Sequence, residues 1–481
     1  MASKTDIMRE YGSIIGRDQV ANGQWIEVRN PCSGQLVGRV AAADKATTLQ
    51  TLERTRSAKV HLPRYERHDL LNRMAGKLEE NAAAVSRLIS DESGLCLKDT
   101  QYEVQRASEV LRFAAIQSLV DDSEVFPCDV SRVGRPRRIY TMRQPLHLIA
   151  AITPFNHPLN QVVHKIAPAI ATNNKSILKP SQLTPLSAYY IVQLALDCGM
   201  PEDMINVLSG PTEDVAETIV ASPLVELITF TGGTATGKRI AAIAGYKRLV
   251  LELGGSSAML VLADADLAQA ADIAVTGVFK NSGQRCTAIR RLLVEDAVAD
   301  KFGHLLAERV ALLKFGDPYN PTTDVGTVIN VRAAVEIERR VALSVDQGAE
   351  VVIGHKREGA VYAPTVLDHV RNDHPVVACE TFGPVASIIR FRTLDEAIQI
   401  ANDTEFGLSG AVVSNHWPSI QRVITELETG TVNVNEAPSY RLEWSPFGGI
   451  KSSGLGYKEG VIEAMKSMTY VKAYSLPWDR P

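Results

Sequence analysis

Short apolar runs of strand type recur along the middle of the chain, at residues 146 to 153 (L-H-L-I-A-A-I-T), 174 to 180 (N-K-S-I-L-K-P), 225 to 232 (V-E-L-I-T-F-T-G) and 248 to 255 (R-L-V-L-E-L-G-G). Longer stretches of helical periodicity, such as S-A-Y-Y-I-V-Q-L-A-L-D-C-G-M, stand between them. The alternation predicts βαβ units and a parallel sheet, hence the α/β fold class. A second alternating region follows Gly255: D-L-A-Q-A-A-D-I-A-V-T-G-V-F-K-N-S-G reads as a helix, and R-R-L-L-V-E-D, A-S-I-I-R-F and G-A-V-V-S-N read as strands. A change of domain is expected near that glycine. Residues 126 to 146, rich in Arg, Pro and β-branched residues, have the pattern of an extended hairpin. The segment T-Y-V-K-A-Y-S-L-P near the end reads as one more strand. A hairpin and a strand with free edges invite pairing between subunits, so a homodimer or homotetramer is expected.

At 481 residues, 45% hydrophobic and 22% charged, the chain can bury more than one core. Its 51 Lys and Arg stand against 55 Asp and Glu, a formal charge of -4, too balanced for sequence-independent phosphate binding. Nucleic acid is therefore not expected as a partner. The start, M-A-S-K-T-D-I-M-R-E, lacks the apolar core of a signal peptide, and no stretch approaches the roughly 20 apolar residues of a membrane span. A cytoplasmic protein without a membrane partner is the expectation. The six cysteines (Cys32, Cys96, Cys128, Cys198, Cys286, Cys379) form no C-x-x-C pair, which argues against disulfide stapling and a bound metal. All but Cys286 are read as small buried hydrophobes.

Cys286 differs because it follows a glycine-containing turn, N-S-G-Q-R-C-T, at the end of a helical run. Only a thiolate attacks, and Arg285 next to it could supply stabilising positive charge. Attack on a carbonyl develops an oxyanion, and Asn156 in I-T-P-F-N-H-P ends an apolar strand with an amide suited to receive it. A base is also required, and Glu252 in L-E-L-G-G ends another strand before two glycines that permit close backbone approach. Finally F-T-G-G-T-A-T-G at 230 to 237 joins a strand to a helix, turning a helix N-terminus toward phosphates. Taken singly, Asn156 reads equally as a turn residue and Glu252 as a surface acid, and the glycine loop departs from G-x-G-x-x-G.

Together T-P-F-N-H-P, L-K-P-S, F-T-G-G, L-E-L-G-G, G-Q-R-C, E-T-F-G-P and P-F-G-G-I-K-S-S-G, in that order, resemble the aldehyde dehydrogenase superfamily over nearly the whole chain. The resemblance implies a Rossmann-like cofactor domain (1–125 and 147–254), an α/β catalytic domain (255–450) and a small β oligomerisation element (126–146 and 455–481). It implies Cys286 as nucleophile, Glu252 as general base, and Asn156 with the Cys286 backbone N–H as oxyanion hole. The implied cofactor is NAD or NADP. Lys179, Ser181 and Gln182 would hold the adenosine ribose, and Phe230, Thr231, Gly232, Gly233 and Thr234 would face the pyrophosphate. Glu380 would bind the nicotinamide ribose with Phe382 beside the ring, and Thr153, Phe155, Gly210 and Leu253 complete the implied contacts. Many NAD-preferring relatives carry Glu where Gln182 stands. A neutral amide can donate to a 2′-phosphate that a carboxylate would repel, so NADP is expected to be accepted.

Arg106, His157, Arg285 and Arg441 lie beside these motifs or at the family's substrate mouth, and such a group expects an anion. Around them the sequence resembles more narrowly the phosphonoacetaldehyde and phosphonoformaldehyde dehydrogenase branch, implying a phosphonate tail. Other readings stay open: an ion pair of Arg106 with Glu103 or Glu109, and a salt bridge of Arg441 with Glu443. Succinate semialdehyde, lactaldehyde or glyceraldehyde 3-phosphate could be the substrate instead. A catalytically silent binding protein of the same fold is the alternative from another class. A dehydrogenase that passes its thioester to CoA is disfavoured by Glu252, which is there to activate water.

Overall fold

The computed structural model describes residues 9–456 and 459–478. Residues 1–8, with most of the stretch read for a signal peptide, lie outside the described residues, as do 457–458 and 479–481 of the oligomerisation segment. Five parallel strands form the first sheet: Leu148–Ile152, Lys175–Lys179, Ile205–Val207, Leu227–Thr231 and Arg248–Glu252. Taken in chain order they lie across the sheet as 3-2-1-4-5. The order reverses beside Leu148–Ile152, and such a switch point opens a crevice at the carboxyl ends of the strands. Ser13–Ile15 adds an antiparallel strand at one edge. The three strands nearest the reversal are buried along their whole length, which is why they read as continuous apolar runs. Helices Arg64–Glu80, Ala82–Ser93 and Leu97–Ser118 pack with Asn160–Ala171 and Leu186–Asp197 into one core on this sheet.

The chain changes sheets in the four residues 253–256, where Gly254 and Gly255 stand. The second sheet is built from Ser257–Val261, Ile289–Glu295, Thr365–Asp368, Val385–Phe391, Ser409–Val413 and Thr431–Val434, all parallel, with Glu350–Ile353 antiparallel at one edge. A third, small sheet pairs Val125–Pro127 with Arg137–Pro145, and Arg137–Pro145 with Thr469–Pro477. Of the segment grouped with the hairpin, the helix Val461–Ser467 packs elsewhere, because its Val461 is buried in the core of the first sheet.

Two expectations are corrected. The helix that starts at Leu267 stops at Phe279 rather than continuing through K-N-S-G, because Asn281, Ser282 and Gly283 all take left-handed backbone angles. The five other cysteines are not uniformly buried: Cys96 is, but Cys128 and Cys198 are half-buried, and Cys32 and Cys379 are exposed. Cys32 follows Pro31 in a surface turn and Cys379 follows a four-residue helix, so neither has a core face to occupy. No helix among the described residues is long and apolar enough to cross a membrane.

Candidate active site

The turn before Cys286 is the most constrained backbone in the molecule's centre. Three successive left-handed residues, two of them not glycine, are costly unless their surroundings over-determine them. The surroundings do so here. Asp99 on the helix Leu97–Ser118 accepts the backbone N–H of Asn281 at 2.8 Å, and the Asn281 amide donates to the carbonyl of Asn156 at 3.0 Å. At Gly283 a Cβ would stand 2.2 Å from the carbonyl oxygen of Gly383, so only glycine lets the E-T-F-G-P loop close on the turn. The buried guanidinium of Arg290 ties the same parts together, donating to the carbonyls of Gly383 (2.9 Å), Gly283 (2.6 Å) and Arg285 (3.0 Å).

Asn156, 7% exposed, donates from its amide to the carbonyl of Gln284 at 2.8 Å, two residues before Cys286. An amide carries two N–H donors, so one is left for an oxyanion. Glu252, 3% exposed, ends its strand at the same place: a Cβ on Gly255, three residues on, would stand 2.4 Å from the Cys286 carbonyl. Cys286 is half-buried. Burial pushes its thiol up to about 12; Arg441 is the leading charge that pulls it back, and Glu252 and Glu380 push it further. The thiol therefore keeps its proton until a base removes it.

Beside this turn, at the carboxyl ends of the first sheet, lies a cleft of about 390 Å³. Thr153 and Phe155, Lys179 to Gln182, and Phe230 to Gly233 line it, each group just after or at the end of a strand. The helix Thr234–Ala244 starts from Gly233 with no side chain capping its first N–H groups. Lys179 is buried with its ammonium hydrogen-bonded only to the neighbouring Pro180 carbonyl at 3.3 Å, and burial pulls its pKa down to about 8. Uncapped helical N–H groups and a buried lysine without a carboxylate fit the phosphates and ribose of a dinucleotide. The Gln182 amide donates to the Gly210 carbonyl, which brings Gly210 to the same rim. Toward the thiol, Glu380 accepts the N–H of Gly255 at 3.1 Å, and Phe382 meets Phe155 edge-on at 5.8 Å. Thr234 accepts the N–H of Gly254 at 3.2 Å, and Leu253 packs where a Cβ on Gly237 would clash.

On the other side of the thiol, Arg106 and Arg441 both meet Glu443. Arg106 donates its Nε to Glu443 Oε1, and Arg441 Nη2 lies 3.7 Å from Oε2. The salt bridge of Arg441 with Glu443 is thus present, whereas the partner of Arg106 is Glu443 and neither Glu103 nor Glu109. Glu103 is already engaged: one oxygen accepts the N–H groups of Leu159 and Asn160, both at 2.9 Å, and the other is 3.6 Å from His157 Nδ1. Glu109 faces outward and accepts from Gln105. Arg285 turns back to the end of the helix Leu267–Phe279, donating to the carbonyls of Thr276 (2.9 Å) and Gly277 (3.1 Å). Of the two arginines, Arg441 acts more strongly on the thiol than its sequence neighbour does.

A family model described as the aldehyde dehydrogenase family matches residues 18–474. The chain belongs to the aldehyde dehydrogenase family. It is 38% identical to aspartate-semialdehyde dehydrogenase 1 of Pseudomonas canavaninivorans, over 94% of this chain and 96% of that one. It is 36% identical to sulfoacetaldehyde dehydrogenase of Neptuniibacter caesariensis, over 85% and 89%. Its fold superposes with a TM-score of 0.91 on a glyceraldehyde-3-phosphate dehydrogenase of Methanocaldococcus jannaschii complexed with NADP, at 33% identity, covering 95% of this chain and all of that one.

In this aldehyde dehydrogenase buried charges hold the site in shape, and of these the sequence offered Glu103 and Glu443 alone, as ion-pair partners of Arg106 and Arg441. Asp99, Glu103 and Arg290 bind backbone groups of the turns described above, and Glu443 joins Arg106, Arg441 and His164. Lys165, wholly buried, pairs with Glu459 at 2.6 Å. The available signal was weak: Asp99 and Glu103 stand among other polar residues of their helix, Arg290 beside a second arginine and Glu443 in a loop, while Lys165 is a lone full charge in an apolar helix, where an unpaired charge would be costly.

Proposed function

We propose that this NAD(P)-dependent aldehyde dehydrogenase oxidises a small anionic aldehyde to its acid, with Cys286 as nucleophile, Glu252 as general base, and Asn156 with the Cys286 N–H as oxyanion hole. Glu252 removes the thiol proton, and the thiolate sulfur bonds to the aldehyde carbon. The aldehyde oxygen becomes an oxyanion that takes the free N–H of the Asn156 amide. Lys179 and Glu380 would hold the dinucleotide, whose oxidised nicotinamide would supply the hydride acceptor, and loss of hydride from this carbon leaves a thioester on Cys286. Glu252 gives its first proton to solvent and then takes one from water, whose oxygen displaces the sulfur as thiolate and frees the acid. The sum is aldehyde, oxidised cofactor and water giving acid, reduced cofactor and protons.

The observation that carries the anionic substrate is the meeting of Arg106 and Arg441 at one carboxylate beside Cys286, from positions 106 and 443 that lie 337 residues apart. Long-range assembly of two arginines at a half-buried site is what recognition of a planar or tetrahedral anion needs. A phosphonate tail, implied by the sequence resemblance, shares this demand with the sulfonate and carboxylate tails in the names of the relatives. Gln182 and the buried Lys179 support acceptance of NADP as well as NAD, since Glu217 at the rim is paired with Arg239 at 2.5 Å. Exposed Tyr474, Leu476 and Trp478 on and beside the small sheet support assembly of a homodimer or homotetramer through it.

The test is a comparison of kcat/KM for sulfoacetaldehyde, phosphonoacetaldehyde and succinate semialdehyde against butanal, each with NAD and NADP. Charge-assisted hydrogen bonds worth about 1.5–3 kcal/mol predict a 10- to 100-fold advantage for the charged aldehydes. Butanal turned over as well as all three would contradict the proposal.

A further inference from the structure

Glu443 has a role in this pocket that its position in the sequence does not announce. Its side chain is 3% exposed and is faced by Arg106, Arg441 and His164, with the His164 Nε2 at 2.5 Å. Behind His164 stands Glu459, already paired with Lys165, and beyond Arg106 lie Tyr102 and Glu103. We propose that Glu443 sets the charge of the tail-binding end of the pocket, so that the enzyme takes an aldehyde with a singly charged tail, sulfonate or carboxylate, in preference to a doubly charged phosphonate of the same shape. This rests on the reading that the substrate is an anionic aldehyde.

Arg285 gives its Nη2 to two carbonyls at the C-terminal end of a helix, the negative end of its dipole, and has Asp99 as its leading nearby carboxylate. Lys280 lies over the ring of Tyr102 at 3.3 Å and is likewise close to Asp99. Glu103, whose one oxygen accepts the first N–H groups of the helix Asn160–Ala171, is the second carboxylate on this side, so Arg285 and Lys280 stand against Asp99 and Glu103. What remains is the group of Arg106, Arg441 and Glu443: two guanidinium charges against one carboxylate. Among the described residues Arg441 has a buried Nη1 without a hydrogen-bond partner, and its ring contact is to Phe447, at 4.0 Å. Arg106 gives Glu443 its Nε, leaving the terminal amino groups of its fork for a ligand. One net positive charge with open donors matches one negative charge. A second negative charge would sit uncompensated beside the Glu443 carboxylate, in surroundings that screen it poorly.

Sulfoacetaldehyde and phosphonoacetaldehyde have nearly the same shape and differ in charge at pH 8, which makes them the probes. With saturating NADP the wild-type enzyme is expected to show kcat/KM at least about tenfold higher for the sulfonate, carried by KM rather than kcat. Glu443→Gln, which keeps the volume and an acceptor oxygen, is expected to move the ratio toward the phosphonate by a similar factor, whereas Glu443→Asp keeps the sulfonate preference. Should Glu443→Gln fail to fold, the wild-type ratio can be followed with pH. The second phosphonate proton titrates somewhat above that of a phosphate ester, which lies at about 6, so the sulfonate advantage should shrink between pH 8 and pH 5.5. Burial holds His157 and His164 below the ordinary imidazole range, so the phosphonate takes up its proton ahead of them as pH falls. A phosphonate advantage at pH 8, or a ratio that stays constant with pH and in Glu443→Gln, would overturn this inference alone. Propionaldehyde turned over as well as both probes would overturn the anionic-substrate reading and this inference with it.

Discussion

Around Cys286 two kinds of construction meet. The nucleotide cleft is built by the backbone: Thr153, Ser181, Gly232 and Leu253 each come just after the last residue of a parallel strand, and the strand order opens the crevice between them. Apart from Lys179, its chemistry consists largely of N–H groups, glycines and a helix start. The tail-binding end is built by side chains instead, with Arg106 from one helix, His157 from the turn after a strand, and Arg441 and Glu443 from a loop more than three hundred residues further on. A backbone-built site is set once the sheet forms, and single side chains there act nearly independently. A charge-built site acts as a unit, since each member is the counter-ion of another and changes in it are not additive.

The largest effect is expected where the two halves share a residue. Cys286→Ala should lower kcat by about 10⁴ or more, read as NADPH absorbance, while fluorescence titration finds the NADP affinity unchanged. Loss of cofactor affinity in this variant would show that the cleft depends on the thiol side and would blur the division. Next, Arg441→Met should raise KM for an anionic aldehyde roughly 10- to 100-fold and leave KM for NADP within about twofold, measured by steady-state kinetics. Equal effects on both would break the comparison. The smallest expected effect belongs to Lys179. Its pKa in the free enzyme is pulled down to about 8, so it is charged at pH 7 and neutral at pH 9. Dinucleotide binds the charged form, and NADP affinity should therefore weaken from pH 7 to pH 9, by at most about tenfold. Isothermal titration at the two pH values checks this, and affinity that stays level or tightens would remove Lys179 from the account.

The same division explains what could be read from the sequence. Strands 148–152, 175–179, 227–231 and 248–252 were legible as apolar runs because both faces of the sheet are covered, and the residues following them came with the strands. The turn before Cys286 was legible as a glycine motif, but its left-handed geometry was not, since Asn281 and Ser282 adopt it only under the hold of Asp99 and Asn156. The arginines were legible as residue types with a resemblance behind them. Their common partner was not, because an ion pair between positions 106 and 443 leaves no local periodicity. The turn of the Arg285 side chain toward the carbonyls of Thr276 and Gly277 was hidden for a related reason: a guanidinium next to a thiol in sequence need not point at it.

The claim on which both halves depend is that the aldehyde carbon becomes bonded to Cys286. Wild-type enzyme can be mixed with NADP and sulfoacetaldehyde, quenched in acid within the first turnover, and its peptides mapped by mass spectrometry. The account predicts an acyl group on the peptide that holds Cys286, appearing with the first equivalent of NADPH. NADPH formed at the full rate with no acylated Cys286 at any time would contradict it.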